Sequence, residues 1–265
     1  PELHPDLAVM LATSGSEGRP RWVRLSRGNI AANAASIAEY LGLTAADRAA
    51  HTLPFHYSYG LSVLHSHLAA GGSLAFCGES VVDPGFLARA AELGCTGLAG
   101  VPFTYELLER IRFREHIWPA LRFMTVAGGR LGPDLVRLYD AALKRKGGQF
   151  FVMYGQTEAT ARMAYVPPDL LADHPDCIGI AIPGGRFRIR GEDGRAVTRA
   201  GEAGELLYSG PNVMMGYATG AEDLSRGAEL DELATGDIAS LTPDGLIRLE
   251  GRARRLRAQN SSPGA

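Results

Sequence analysis

Short apolar runs and helix-patterned segments take turns along the first 153 residues, and that alternation leaves few folds open. Runs at 49–54, 73–77, 97–101, 123–127 and 150–153 are too short for helices and read as strands. Between them, 29–41, 58–70, 84–93, 104–111 and 132–146 read as helices. Ser26 is a good N-cap for 29–41, where Ile30, Ala34, Ile37 and Leu41 share a face. Leu61, Leu64 and Leu68 do the same in 58–70, and Gly147 suits the end of 132–146. Strand-then-helix repetition points to an α/β fold, with a largely parallel sheet flanked by helices. At the start, LAVMLAT (7–13) reads as a buried strand and 22–25 as a second.

The pattern changes after about residue 175. Strand candidates at 189, 205–209 and 246–250 sit among glycine-rich turns, with one weak helix near 221–226. This stretch reads as a small antiparallel β subdomain. The expected organisation is therefore 1–174 as the α/β unit, 175–250 as the β-rich unit, and 251–265 as a hinge-like segment and tail. A chain of 265 residues buries roughly three quarters of its unfolded surface, enough for a substantial core. Its 27 basic and 29 acidic residues nearly balance, which argues against nucleic acid or an acidic membrane as partner. No apolar run approaches the roughly 20 residues of a membrane span. Three widely spaced cysteines without a C-x-x-C pair suit a reducing, cytoplasmic setting and signal no zinc site.

Three segments could carry chemistry. The loop Thr13-Ser14-Gly15-Ser16-Glu17-Gly18-Arg19-Pro20-Arg21 offers hydroxyls, unencumbered amides and two guanidiniums, a combination suited to a polyphosphate. It is not a P-loop, and taken alone such a stretch is a turn. Tyr154-Gly155-Gln156-Thr157-Glu158 follows a strand at its carboxyl end, where open α/β sheets bind ligands. A hydroxyl beside a carboxylate there could hold a phosphate oxygen and Mg²⁺, or could simply open a helix. Thr235-Gly236-Asp237 reads as a turn before a hairpin at 243–245, with Asp237 a possible acceptor for a diol. His65 and His67, two apart on a helix, do not share a face and make no metal site.

In order and form these segments resemble the adenylate-forming (AMP-binding) superfamily, which includes acyl-CoA synthetases and adenylation domains. Leu53 to Gly60 resembles its acyl-pocket motif, and Ala127-Gly128-Gly129-Arg130-Leu131 a segment lining its adenine and acyl pockets. Gly204-Glu205-Leu206, Gly216-Tyr217 and Gly251-Arg252 fit further motifs. The resemblance implies an AMP-forming acid–thiol ligase: ATP and a carboxylic acid give an acyl-adenylate and pyrophosphate, and coenzyme A or a carrier protein takes the acyl group. It implies that Thr13, Ser14, Gly15, Ser16 and Gly18 wrap the outer phosphates, with Arg21 nearby. It places Thr157 on the α-phosphate, Glu158 on Mg²⁺, and His56 at the acyl-pocket wall. Tyr154 would stack on adenine with Gly129 and Arg130 nearby, Gly155 and Gln156 would be cofactor-binding, and Asp237 would bind the ribose hydroxyls with support from Arg252.

The chain also departs from the family pattern. Arg21 stands where lysine is usual, and Glu17 where a second threonine is common. Little of the family's N-terminal region precedes Thr13, and its C-terminal lysine domain would follow the hinge-like 252–257, where Arg254 holds the pivot position. Length therefore leads us to expect a partial chain, with a non-catalytic nucleotide-binding remnant as the competing reading. The pocket motif lacks the aspartate expected for an amino acid, which favours a plain carboxylic acid.

Overall fold

The structure is a computed structural model and describes residues 2–13, 21–78, 80–83 and 85–252. The elements are β1 (Leu7–Thr13), β2 (Arg21–Ser26), α1 (Arg27–Leu41), β3 (Arg48–Ala50), α2 (Ser58–Ala69), β4 (Ser73–Ala75), α3 (Phe86–Glu92), β5 (Gly97–Gly100), α4 (Pro102–Arg110), β6 (Phe123–Val126), α5 (Pro133–Lys144) and β7 (Gln149–Tyr154). They continue with β8 (Ala164–Tyr165), β9 (Ile180–Ala181), β10 (Arg186–Arg190), β11 (Ala203–Ser209), β12 (Gly216–Ala218), β13 (Leu233–Leu241) and β14 (Ile247–Arg252).

A seven-stranded sheet in the order β4-β3-β5-β6-β7-β8-β9 forms the spine, and its first five strands are parallel. Successive residues point to opposite faces, so each strand feeds two cores. Leu98, Met124 and Phe150 pack under α3, α4 and α5 with Phe86, Tyr105 and Tyr139. Their neighbours Ala99, Phe123 and Phe151 pack under α1 and α2 with Ile37, Tyr59 and Val63. β5 and β6 are buried at every position, which explains runs that do not alternate. The α/β expectation therefore holds.

Local signals worked where a short-range bond enforces them. The Asn29 N–H donates to Ser26 Oγ at 3.0 Å, and the Ser26 N–H donates to Asn29 Oδ1 at 2.9 Å. α4 and α5 each open on a proline at the first turn, where a missing N–H costs no helical bond.

Two expectations are corrected. Residues 7–13 are a strand but not a buried one, because only Leu11 is sealed. β1 pairs antiparallel with β2, which also pairs with β12, making a separate three-stranded sheet outside the parallel spine. Thr235-Gly236-Asp237 is not a turn but lies within β13, the nine-residue strand of the four-stranded antiparallel sheet β10-β11-β13-β14. β8 and β9 run antiparallel at the edge of the spine, which extends past residue 175.

Candidate functional site

The carboxyl end of the parallel strands opens into a cleft of about 1010 Å³. One wall comes from the spine and α2, through Tyr57, Ser58, Gly128 and Gly155 to Glu158. The other comes from the antiparallel sheets, through Arg21, Tyr217, Leu233 to Gly236, and Arg252.

After β7 the chain turns sharply. A Cβ on Gly155 would lie 1.6 Å from the Ala161 carbonyl oxygen, so only glycine admits the return of the backbone. Thr160 and Ala161 take φ of 57° and 93°, and the Met163 N–H closes the turn on the Tyr154 carbonyl at 2.9 Å. Backbone strain of this kind concentrates at functional sites. The turn presents Thr157, whose Oγ1 lies 3.2 Å from Ser58 Oγ, the first residue of α2. It also presents Glu158, whose Oε1 accepts from the Tyr217 hydroxyl at 2.9 Å. The Arg21 guanidinium sits 4.2 Å above the Tyr217 ring. Burial, with Glu158 beside it, pushes the Tyr217 phenol up to about 12. Thr13 Oγ1 donates to the Arg21 carbonyl at 3.4 Å, which ties the two strand ends.

At the other end, β13 carries a bulge. Its register against β11 slips between Ala234 and Ile238, and Gly236 holds a φ of 72° that L side chains rarely adopt. The bulge turns Asp237 inward, to 5% exposure. Asp237 Oδ2 accepts from the Tyr154 hydroxyl at 2.6 Å and from Gln156 Nε2 at 3.2 Å, and Oδ1 pairs with Arg252 Nε at 2.9 Å. Gln156 Nε2 also donates to the Thr235 carbonyl at 2.8 Å, and Thr235 Oγ1 to that of Leu206 at 2.8 Å. Burial and the Asp237 charge raise the Tyr154 phenol far above its ordinary value.

Thr13, Arg21, Gly155, Gln156, Thr157, Glu158 and Arg252 thus line one cleft, with Tyr154 and Asp237 bonded directly behind its wall. His56, Gly129 and Arg130 are exposed and do not line it. Ser14, Gly15, Ser16, Glu17, Gly18, Arg19 and Arg254 lie outside the described residues. Ser58 and Tyr217 fall inside motifs that the sequence matched, without a role of their own, and Arg162 lies in none of them. Arg162 left a trace only as a lone charge in the otherwise uncharged run 159–167.

A family model for AMP-binding enzymes matches residues 1–218, and the chain belongs to that family. It is 29% identical over 259 residues to an oxalate–CoA ligase of Arabidopsis thaliana, covering 96% of this chain and 49% of the relative. It is 32% identical over 261 residues to a sulfoacetate–CoA ligase of Cupriavidus necator, covering 97% and 50%. The o-succinylbenzoate CoA synthetase of Bacillus subtilis, solved with its acyl-adenylate intermediate, superposes with a TM-score of 0.79 at 26% identity, over 95% of this chain and 50% of that one. The same enzyme has been solved with ATP and magnesium ion. The chain spans about half the length of these relatives.

Proposed function

We propose that the protein activates a carboxylic acid with ATP, forming an acyl-adenylate and pyrophosphate, and that a thiol, that of coenzyme A, then takes the acyl group. The observation that carries this reading is the cleft that brings Thr157 and Glu158, beside the spine, together with Arg21 and Arg252 from the antiparallel sheets, Asp237 being paired with Arg252 behind its wall. Family membership and relatives that are CoA ligases support it.

The residues fit a magnesium nucleotide. Magnesium takes one or two carboxylates and completes its shell with water and phosphate oxygens. Glu158 faces the cleft with a single side-chain hydrogen bond among the described residues, so most of its acceptor sites are available. A bound magnesium ion would supply charge neutralisation for the phosphates. Thr157 and Ser58 present paired hydroxyls for an α-phosphate oxygen. Arg21, held over Tyr217, offers a cation to the outer phosphates. Asp237 uses three acceptor positions on protein donors and keeps about one of four for a ribose hydroxyl. Gln156 and Tyr154 hold that carboxylate in place.

In the first half-reaction an oxygen of the acid's carboxylate attacks the α-phosphorus, and the bond to pyrophosphate breaks with its electron pair. In the second, a thiolate attacks the acyl carbon and AMP leaves. Positioning and charge neutralisation do the work in both steps. Three free thiols are consistent with a cytoplasmic setting. Among the described residues no helix is long and apolar enough to cross a membrane.

Carboxylate-dependent exchange of labelled pyrophosphate into ATP tests the first half-reaction, and calorimetry with a non-hydrolysable acyl-adenylate mimic tests the site. Exchange with some acid and tight mimic binding are expected. Absence of both eliminates the reading, and mimic binding without exchange marks a nucleotide-binding remnant. Acyl transfer to a carrier-protein thiol in preference to coenzyme A would reassign the acceptor.

A further inference from the structure

Arg162 is 2% exposed, yet no carboxylate pairs with it among the described residues. Its Nε donates to Ser62 Oγ at 3.1 Å and its Nη1 to the Tyr40 hydroxyl at 3.0 Å. The guanidinium lies 5.0 Å over the Tyr59 ring. All of these partners are neutral, and Nη2 has no hydrogen bond among the described residues. The nearby carboxylates bond other groups: Glu158 accepts from Tyr217, Glu205 pairs with Arg190 and Asp237 with Arg252. A desolvated cation with only neutral contacts is costly, and the cost is recovered when an anion arrives.

The position of Arg162 says which anion. It lines the same cleft as Thr157. Ser58 touches Thr157 and Ser62 touches Arg162, and these serines stand four residues apart on α2. The two serines therefore stand about one helical turn, about 6 Å, apart along the axis of α2. An acid whose carboxylate reacts beside Thr157 would bring its far end to Arg162.

We propose that Arg162 receives a second anionic group of the acid, so that the substrate is a short dianion, such as a dicarboxylate or a sulfonated carboxylate. This deepens the acid-activation reading and rests on it. The planar fork of the guanidinium suits a carboxylate or sulfonate end group, and Ser62 and Tyr40 engage Nε and Nη1, which leaves Nη2 for the ligand. A plain acyl tail would instead leave the cation buried and unpaired.

Calorimetry on the 265-residue chain with AMP present tests this, using succinate, glutarate and sulfoacetate against butyrate and valerate. The dianions are expected to bind roughly tenfold or more tightly than monoacids of equal length. Arg162→Gln should erase that preference and Arg162→Lys should keep part of it, with AMP affinity near wild type in both as evidence of an intact fold. Equal binding of mono- and dianions by the wild type overturns the proposal, as does a preference that survives Arg162→Gln. An equal loss for both acid types in Arg162→Gln also overturns it, since Arg162 would then hold the reacting carboxylate. If a variant fails to fold, the wild-type series still decides. Pyrophosphate exchange separates this inference from its parent. Exchange with monoacids alone sinks the dianion and leaves acid activation standing. Dianion preference without any exchange sinks acid activation alone.

Discussion

The two ends of the cleft are built differently. Around Asp237 every donor is committed: Tyr154, Gln156 and Arg252 converge on one carboxylate buried by the bulge of β13. Around Glu158 the described residues are sparse, with one tyrosine hydroxyl on the carboxylate and one guanidinium over that tyrosine. A nearly saturated carboxylate is a frame, since its protein partners position it before any ligand arrives. An undersaturated one is a reaction site, since its open acceptors are what a metal–phosphate group needs. Losses at the Glu158 end should therefore appear in turnover, and losses at the Asp237 end in stability as well as in nucleotide affinity.

The most forceful way to break this contrast is Glu158→Ala. The exchange rate should fall by on the order of 10²-fold or more, with little change in melting temperature. An unchanged rate at saturating Mg²⁺ would remove the reaction-site assignment. Next is Asp237→Asn, which weakens the pairing with Arg252 and places an amide where a carboxylate accepted. It should cost about 1–3 kcal/mol in urea unfolding and weaken AMP binding in parallel. Full stability with normal AMP affinity would show that the Asp237 end is no frame.

Tyr217→Phe sharpens the comparison further. Removing one hydrogen bond from Glu158 should lower exchange by a few fold, about 1 kcal/mol. The pH dependence has a definite sign. The phenol's folded value is raised from 10.0 to about 12, so its contribution is fully present below pH 10 and is lost as pH rises towards 12. Urea midpoints at pH 8 and pH 11 should therefore differ less in Tyr217→Phe than in the wild type. The smallest effect is expected for Arg21→Lys, which keeps the charge and gives up stacking on Tyr217, within about 1 kcal/mol. A collapse of ATP affinity in that variant would show that the forked geometry is essential at this position.

Much of the spine was legible because short-range physics writes it. The buried runs at 97–101 and 123–127 have no alternation, as strands covered on both faces should not, and the Ser26 cap needs only Asn29 three residues on. The segment 154–158 was placed at a strand end by its apolar run, and there it lies. Asp237 was read as a turn residue because Thr-Gly-Asp is turn chemistry locally. The bulge that buries it depends on β11, about 30 residues away, and on an arginine in β14. The strand at 7–13 was read as buried because its composition is apolar, but its partners are β2 and, through β2, the distant β12.

Composition, periodicity and motif order were enough to establish the α/β class, the family resemblance and the identity of Thr157, Glu158 and Asp237 as candidates. Each depends on a pattern only a few residues long. Folding alone decided which groups meet: Tyr217 on Glu158, Gln156 and Arg252 on Asp237, and Arg162 buried without a counter-charge. Those pairings join residues up to 81 apart through sheet register and helix packing, and neither has a signature in the local chain.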